Sequence, residues 1–233
     1  MNEFVKYPNS PIAADGLLIV GGALVLTVVF FLFFWFFPTS NWAVKITGGG
    51  LAFASLVFLL FSLWFFRDPS RTPEQTGPDV VISAADGEVL KVETVDDVRF
   101  GEKAEKISIF MSPFNVHVNR APVAGVVEKV EYVPGTFFVA SLDKASTDNE
   151  RNLVVIKTDK GQRVGFLQIA GLVARRIVWH IKVNDRLEIG QRYGMIKFGS
   201  RMEIFLPVGS QIQVKPGDRV FAGKTVVGRL VLP

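Results

Sequence analysis

The hydrophobic pattern divides the chain into an apolar N-terminal part and a polar remainder. Residues 16–44 contain no charged side chain, and after Lys45 residues 46–66 are again free of charge. About 20 apolar residues at a rise of 1.5 Å each suffice to cross a hydrocarbon core of about 30 Å. The pattern therefore predicts two membrane helices, at about residues 17–37 and 46–66, with a tight link at residues 38–42 between them.

The flanks of these segments predict how the anchor is oriented. Tryptophans stand near the predicted helix ends, as they do at membrane interfaces: Trp35, Trp42 and Trp64. Arg67 and Arg71 follow the second segment, and the positive-inside rule then places the remainder of the chain on the cytoplasmic face of the cell membrane. A hairpin that enters one leaflet and returns fits the same pattern. Residues 1–66 are thus predicted to form a two-helix membrane anchor.

Beyond residue 66 the pattern changes to short alternating runs. Prolines exclude a helix from residues 67–77, which we interpret as a linker. Residues 78–233 are long enough for one domain with its own core, and their pattern is mainly β. The clearest predicted strands are residues 80–83, 87–93, 106–111, 125–132, 153–158 and 163–169. The best helix candidate, a weak one, covers residues 170–176.

An internal repeat refines the fold prediction. Residues 183–190 and 214–223 share the pattern Asp-Arg-apolar-x-x-Gly at an offset of 33 residues, and Gly194 and Gly228 follow the two copies. Each copy predicts a tight turn, a short strand and a second turn. This pattern resembles the hairpins of biotinyl- and lipoyl-type modules, so we expect a barrel-sandwich domain.

Composition removes several classes of function. The chain has no cysteine and only two histidines, which excludes a disulfide framework, thiolate metal sites and a multi-histidine metal centre. The net charge of +4 comes from acidic and basic residues that alternate, so nucleic-acid binding is not expected. Phosphate-binding glycine motifs and the serine-hydrolase elbow are absent from the sequence.

The segment Phe198-Gly199-Ser200 is the strongest candidate for chemistry. It lies between two apolar runs that are predicted strands, Met195-Ile196 and Ile204-Phe205-Leu206. A glycine lets the backbone bend so that the next serine hydroxyl can approach the preceding carbonyl, as an N→O acyl shift requires. We therefore predict self-cleavage between Gly199 and Ser200.

Asp86 and His117 are two further candidates for catalytic residues. Asp86 lies in an Ala-Ala-Asp-Gly stretch, where the simplest interpretation is a turn residue between two strands. His117 alternates with Asn115 and Asn119, which places three polar side chains on one face of a predicted strand. Because histidine titrates near neutrality, this face is predicted to line a wet cleft.

Six motifs, in this order along the chain, together resemble the phosphatidylserine decarboxylase family, in its short form. They are Phe65-Phe-Arg-Asp-Pro69, Ala85-Asp-Gly87, His117 with Arg120-Ala-Pro122, Tyr132-Val-Pro-Gly135, Asn149-Glu-Arg151 and Phe198-Gly-Ser200. Two departures stand out. The well-known members have Leu-Gly-Ser-Thr at the cleavage site, where this chain has Arg201 after the serine. They also carry a second histidine at the position of Arg120.

The resemblance implies a self-processing enzyme. Asp86 would orient His117, His117 would deprotonate Ser200, and the alkoxide would attack the Gly199 carbonyl. The products would be fragments 1–199 and 200–233, which stay associated, with a covalent pyruvoyl cofactor in place of Ser200. A Schiff base between the pyruvoyl group and phosphatidylserine would then allow decarboxylation to phosphatidylethanolamine.

The resemblance also implies further roles and partners. His117 would handle the proton that replaces carbon dioxide, and Arg120 or Arg151 would bind the phosphate or carboxylate of the lipid. Arg151 could equally pair with Glu150. The substrate would enter from the membrane through a pocket mouth that faces it, and a homo-oligomer is compatible with the sequence.

Three other functions fit parts of the sequence. The hairpin repeat also suits a membrane-anchored adaptor without catalysis, or a lipoyl-type carrier modified at Lys144. A decarboxylase of a serine ether lipid would share every motif named above. A hydrolase that uses Ser200 with His117 is disfavoured because the serine lies in a strand-like context.

Overall fold

The chain forms two compact units, Ser10–Pro69 and Ser70–Pro233. The computed structural model describes residues 10–36, 41–97, 103–139, 145–172, 176–197 and 200–231. The first unit is helical and the second is mainly β, as the sequence predicted.

The first unit contains the two long apolar helices. After a 3₁₀ turn at Ala14–Gly16, α1 spans Leu17–Phe36 and α2 spans Trp42–Phe65. By length and composition both helices are able to cross a membrane. Asn41 caps α2, because its side-chain oxygen accepts a hydrogen bond from the Ala43 amide at 3.0 Å.

The predicted start of the second helix at residue 46 is wrong. Lys45 lies inside the first turns of α2, since lysine is a good helix former and a charge near a helix end can extend toward water. Residues 38–40 of the predicted link lie outside the described residues.

Within the residues that the structure describes, the second unit contains antiparallel strands and one short helix. The helix α3 covers Ala145–Asp148. The strands are β1 Val80–Ile82, β2 Gly87–Asp96, β3 Lys103–Met111, β4 Val118–Arg120, β5 Gly125–Val133, β6 Arg151–Lys157, β7 Arg163–Ala170, β8 Arg176–Trp179, β9 Arg186–Leu187, β10 Arg192–Lys197, β11 Ser200–Pro207, β12 Gln211–Ile212, β13 Arg219–Val220 and β14 Val226–Arg229.

The strands form three sheets. The largest has the order β13-β2-β3-β11-β7-β6-β5-β9, and two three-stranded sheets have the orders β1-β14-β12 and β4-β10-β8. All six strands that the alternation predicted most clearly are present, with ends that shift by at most three residues. The predicted helix at residues 170–176 is wrong, because Ala170 ends β7 and Arg176 begins β8.

The internal repeat has the same hydrogen bonds in both copies. The Val127 amide donates to the Asp185 carbonyl at 2.8 Å, and the Val89 amide donates to the Asp218 carbonyl at 2.9 Å. β9 accordingly pairs with the start of β5, and β13 pairs with the start of β2. These equivalent hairpins support the predicted barrel-sandwich fold.

The strand β11 separates two apolar layers. Its residues Met202, Ile204 and Leu206 belong to the main core, which also contains Phe166 and Tyr193. Phe205, on the opposite face, belongs to a smaller cluster. Burial raises the pKa of Tyr193 well above the usual value, so its hydroxyl stays neutral in this core.

Gly194 offers a test of strand packing. A Cβ atom at this position would lie 2.2 Å from the Val178 carbonyl oxygen, a contact that only a backbone shift can relieve. We expect Gly194→Ala to lower the free energy of unfolding by about 2–3 kcal/mol, as over-packing does. Thermal and denaturant unfolding of the full chain measure this.

Gly228→Ala is the matched control, since its Cβ would lie 3.0 Å from the Gln211 carbonyl oxygen. We expect a smaller loss of stability from this variant. Equal stability of the Gly194→Ala variant and the unchanged protein would contradict the packing of β10 against β8.

Candidate active site

Ser200 is the first residue of the central strand β11. It pairs with Met111 at the end of β3 on one side and with Ala170 at the end of β7 on the other. Its side chain is completely buried, and its hydroxyl lies 3.2 Å from the sulfur of Met111. Phe198 and Gly199, the other residues of the predicted cleavage motif, lie outside the described residues.

His117 is completely buried, at the end of the segment that connects β3 to β4. Its Nδ1 lies 3.0 Å from the backbone oxygen of Asn115. A carbonyl can only accept, so in the neutral ring Nδ1 carries the hydrogen and Nε2 carries the lone pair. This tautomer gives Nε2 the form of a general base.

A backbone hydrogen bond links His117 to the strand that precedes Ser200. The carbonyl of His117 accepts a hydrogen bond from the Ile196 amide at 3.4 Å. Ile196 lies near the end of β10, and Ser200 begins β11 four residues later. The backbone of His117 is therefore hydrogen-bonded to the strand that ends three residues before Ser200.

The prediction of a wet cleft along Asn115, His117 and Asn119 is wrong for the last two residues. His117 and Asn119 are completely buried. Asn119 accepts a hydrogen bond from Gln168 at 2.9 Å, and Gln168 in turn accepts one from Asn152 at 3.0 Å. Asn119 thus belongs to a buried network of side-chain amides, whereas Asn115 is half-buried and accepts from the Ser112 amide and hydroxyl, both at 2.8 Å.

Asp86 is buried and held by a cation from the linker. Arg71 forms a two-pronged ion pair with its carboxylate, and one of the two contacts, from Nη2 to Oδ2, measures 2.8 Å. The Ala222 amide also donates to Oδ1 at 2.8 Å, and Arg71 donates to the Ala222 carbonyl at 2.9 Å. Asp86 is therefore more than a turn residue, since it joins the linker to the C-terminal part of the chain.

The expected contact between Asp86 and His117 is not among the hydrogen bonds of the described residues. Asp86 binds Arg71 and Ala222, while Asn115 holds the His117 ring. The catalytic order of Asp86, His117 and Ser200 stays a prediction.

The two arginines predicted to bind substrate contact backbone oxygens. Arg120 is 4% exposed and donates to the Gly190 carbonyl at 3.2 Å. Arg151 donates to the carbonyls of Thr147 and, at 3.3 Å, Asn149. The alternative pairing of Arg151 with Glu150 is not among the ion pairs of the described residues, and a Glu150 oxygen instead accepts from the Ile177 amide at 3.3 Å.

Two of the sequence motifs meet beside Ser200. The Asn149 amide group donates to the carbonyls of Phe138, at 2.9 Å, and Ala170, at 2.7 Å, which ties the Phe138 segment to the strand next to Ser200. Gly135 is required where the two motifs touch, because a Cβ there would lie 2.5 Å from the Asn149 carbonyl carbon.

The same two motifs also interact through Tyr132 and Glu150. Burial raises the pKa of Tyr132, and the negative charge and hydrogen bond of Glu150 raise it further.

A pocket of about 380 Å³ borders the segment between Met111 and His117. Its lining residues are Gly87, Glu88, Phe110, Ser112, Phe114, Asn115, Arg219, Val220 and Phe221. Register explains part of this lining, because Arg219 pairs with Glu88 and Glu88 pairs with Phe110, so the three lie in one row across the sheet.

A buried ion pair lies directly after Ser200, and the sequence motifs did not predict it. Arg201 and Glu203 are both about 2% exposed, and Arg201 Nη2 lies 2.7 Å from Glu203 Oε1. Ser146 donates to the same carboxylate oxygen at 2.8 Å, and Ser108 accepts from Arg201 at 3.1 Å. Alternating charges on a strand that is buried on both faces were the one available indication.

Two other expectations concern ligands and attachment sites. Within the described ranges, the structure contains no group of three or more His, Cys, Asp or Glu side chains that could hold a metal ion. Lys144, the attachment residue of the carrier alternative, lies outside those ranges.

Comparison with known proteins identifies relatives across nearly the full length of the chain. The family model of phosphatidylserine decarboxylase matches residues 58–228. The chain is 48% identical over 223 residues to the phosphatidylserine decarboxylase proenzyme of Solidesulfovibrio magneticus, covering 95% of this chain and 97% of that protein. It is 43% identical over 227 residues to the proenzyme of the same name from Burkholderia lata, covering 97% and 99%.

The Arg201–Glu203 pair generates a stability prediction. Among the described residues, removing Arg201 leaves the buried Glu203 carboxylate with only Lys106, whose Nζ lies at 4.0 Å, as a counter-ion, and breaking a buried pair typically costs about 3–5 kcal/mol. We expect Arg201→Met to lower the free energy of unfolding by this amount, measured by denaturant titration.

The double variant Arg201→Met with Glu203→Met is the control, because it removes both charges. We expect it to be more stable than the single variant. A single variant as stable as the unchanged protein would show that the pair contributes nothing.

Proposed function

The chain belongs to the phosphatidylserine decarboxylase family, and we propose that it converts phosphatidylserine to phosphatidylethanolamine with a pyruvoyl group made from its own Ser200. The observation that carries this proposal is a buried Ser200 at the start of the central strand, with a buried His117 whose Nε2 carries the lone pair and whose carbonyl is hydrogen-bonded to the preceding strand. The names of the relatives describe proenzymes, which agrees with a chain that is processed before it acts.

His117 would start the self-cleavage. Its Nε2 lone pair accepts the hydroxyl proton of Ser200, and the oxygen attacks the Gly199 carbonyl carbon. The amide C–N bond breaks as the ester C–O bond forms. Loss of the Ser200 α-proton then breaks the bond between its Cβ and the ester oxygen, which leaves a carboxylate on Gly199. The enamine that remains takes up a proton at Cβ and becomes an imine. Water hydrolyses this imine, so that its oxygen becomes the pyruvoyl ketone and the former amide nitrogen leaves as ammonia.

The surroundings of Ser200 suit the group that would replace it. The side chain is completely buried and lies against the soft sulfur of Met111, so bulk water has little access. When formed, a pyruvoyl group supplies a ketone that captures an amine and accepts the electron pair released with carbon dioxide. His117 is the residue that we assign to return a proton to the substrate carbon.

The anionic groups of the lipid would be bound by arginine. Arg120 and Arg151 stay our candidates from the motif match, and each would exchange a backbone carbonyl contact for a substrate oxygen. The phosphate and carboxylate of the headgroup suit the planar fork of a guanidinium.

The two fragments would stay together after cleavage. Strand β11, from the small fragment, lies between β3 and β7 of the large one. Asp79 and Arg229 join the fragments at 2.6 Å, and the hydrogen bond from Arg229 lowers the pKa of Asp79. Because this pKa is lowered, the contact is complete above the ordinary pKa of aspartate and weakens as the pH falls below it.

The location that we propose is the cell membrane, with Ser70–Pro233 on the cytoplasmic face. The two apolar helices support the anchor, and Arg67 and Arg71 support the orientation. The substrate is a membrane lipid, so an anchored enzyme would meet it without leaving the bilayer.

The intact mass tests self-cleavage. We expect the purified protein to give fragments 1–199 and 200–233, the smaller one without a free N-terminal amine, and Ser200→Ala to remain one chain. Ser210→Ala is the matched control, since this serine lies in the same fragment and donates only to the Pro207 carbonyl. An unchanged protein that stays whole and releases no carbon dioxide from phosphatidylserine would disprove the proposal.

Arg71 provides a second test, through Asp86. In Arg71→Met the buried carboxylate loses its counter-ion, and we expect self-cleavage to slow by about tenfold because Asp86 is no longer held in place. Arg71→Lys keeps the positive charge but loses the planar guanidinium. Its cleavage rate should therefore fall between those of Arg71→Met and the unchanged protein. Timed gel analysis of freshly synthesised protein measures the rates.

Arg163→Met is the control for charge loss, because Arg163 pairs with Glu128 on the exposed surface. Its cleavage rate should match that of the unchanged protein. If Arg71→Met also cleaves at that rate, Asp86 does not need its ion pair for processing.

A further inference from the structure

Exposed apolar side chains are concentrated at the end of the large sheet where Ser200 lies. β3 ends at Met111 and β7 ends at Ala170, and both residues pair with Ser200. The segments that follow these two strands therefore emerge beside Ser200. Phe114 follows β3 and is 69% exposed, and Leu172 follows β7 and is 56% exposed.

Two more apolar side chains reach the same end of the sheet. Phe138 is 45% exposed, and the Asn149 side chain ties its backbone to Ala170. Phe221 is also 45% exposed and follows β13, whose Val220 pairs with Gly87 at the start of β2. Phe114, Phe138, Leu172 and Phe221 are called the docking surface from here on.

Such exposure needs a physical explanation. Burying one of these side chains gains about 1.5–3 kcal/mol, and large apolar groups that cluster on a surface usually mark a site of interaction. The opposite end of the sheet differs, since its exposed apolar residues include the smaller Val208 and Val231.

Two arginines lie at the same end of the sheet as the docking surface. Arg176 begins β8 at this end, and Arg219 lines the pocket between Phe114 and Phe221. Neither arginine forms an ion pair in the part of the chain that the structure describes. Glu88 and Asp148 are also exposed here, so the charge is mixed rather than uniformly basic.

We propose that the docking surface inserts into the interface of a lipid bilayer that contains anionic phospholipid, with Arg219 beside the lipid phosphates. This inference rests on the proposed function, because a lipid substrate has to reach Ser200 from the bilayer. A protein that covered this end of the sheet would block that approach, which favours the bilayer as the occupant. Aromatic and aliphatic side chains next to arginine are typical of surfaces that bind membranes.

Spin labels test the docking surface without relying on activity. The chain has no cysteine, so Phe114→Cys and Leu172→Cys give single labelling sites, and Val208→Cys and Val231→Cys are controls. The full chain, in nanodiscs that hold one copy and contain phosphatidylserine, is measured with oxygen and with a water-soluble nickel complex. We expect spin labels at 114 and 172 to be more accessible to oxygen, as inside a bilayer. The control labels should be more accessible to the nickel complex, as in water.

Equal nickel accessibility at all four positions would overturn the proposal. Because each nanodisc holds one copy, protection by a second copy is excluded. The same labels in the Ser200→Ala background should give the same depths. A failure of self-cleavage would therefore not be mistaken for a failure of docking.

Turnover gives a second measurement. We expect Phe138→Gln with Leu172→Gln to lower turnover of bilayer phosphatidylserine by about tenfold relative to turnover of a short-chain monomeric analogue, because polar side chains insert less well. Val208→Gln with Val231→Gln should leave that ratio unchanged. An equal loss on both substrates would mean that the docking variants act on the site and not on the membrane.

Discussion

The antiparallel pairing of β11 with β3 and β7 is the interaction on which the rest of the second unit depends. The strand that begins with Ser200 forms the centre of the large sheet rather than an edge. It pairs along its whole length with β3 and over six residues with β7. A break in the backbone before Ser200 therefore leaves the strand in place, because its neighbours hold it by hydrogen bonds on both sides.

In the site, buried polar groups determine the tautomer of His117 and the charge partner of Asp86. The Asn115 carbonyl sets the tautomer of His117, a task that a carboxylate performs in many catalytic triads. Asp86 instead neutralises Arg71, which lies in the linker. Burial makes each of these contacts specific, since a misplaced donor or charge would be costly in an apolar setting.

Much of the fold could be predicted from the sequence because strand alternation and turn residues are local signals. The same alternation misled the interpretation of His117 and Asn119, which are buried rather than wet, since Asn119 bonds to another buried polar side chain, Gln168. The Arg201–Glu203 pair could not be predicted, because the position of the smaller apolar layer is a tertiary property. The motif match identified Asp86, but its Arg71 partner comes from fifteen residues upstream and depends on the path of the linker.

The internal repeat has a consequence for how the processed protein is assembled. The first copy, with β9, pairs with β5 in what would be the same fragment, whereas the second copy, with β13, pairs with β2 across the cut. The second of the two equivalent hairpins would thus become an interface between two polypeptides. The short fragment would contribute the central strand β11, the middle strand β14 and the two edge strands β12 and β13, and its apolar side chains would pack against those of the large fragment. Each molecule would be cleaved once, and it would stay assembled only as long as its two fragments remain paired.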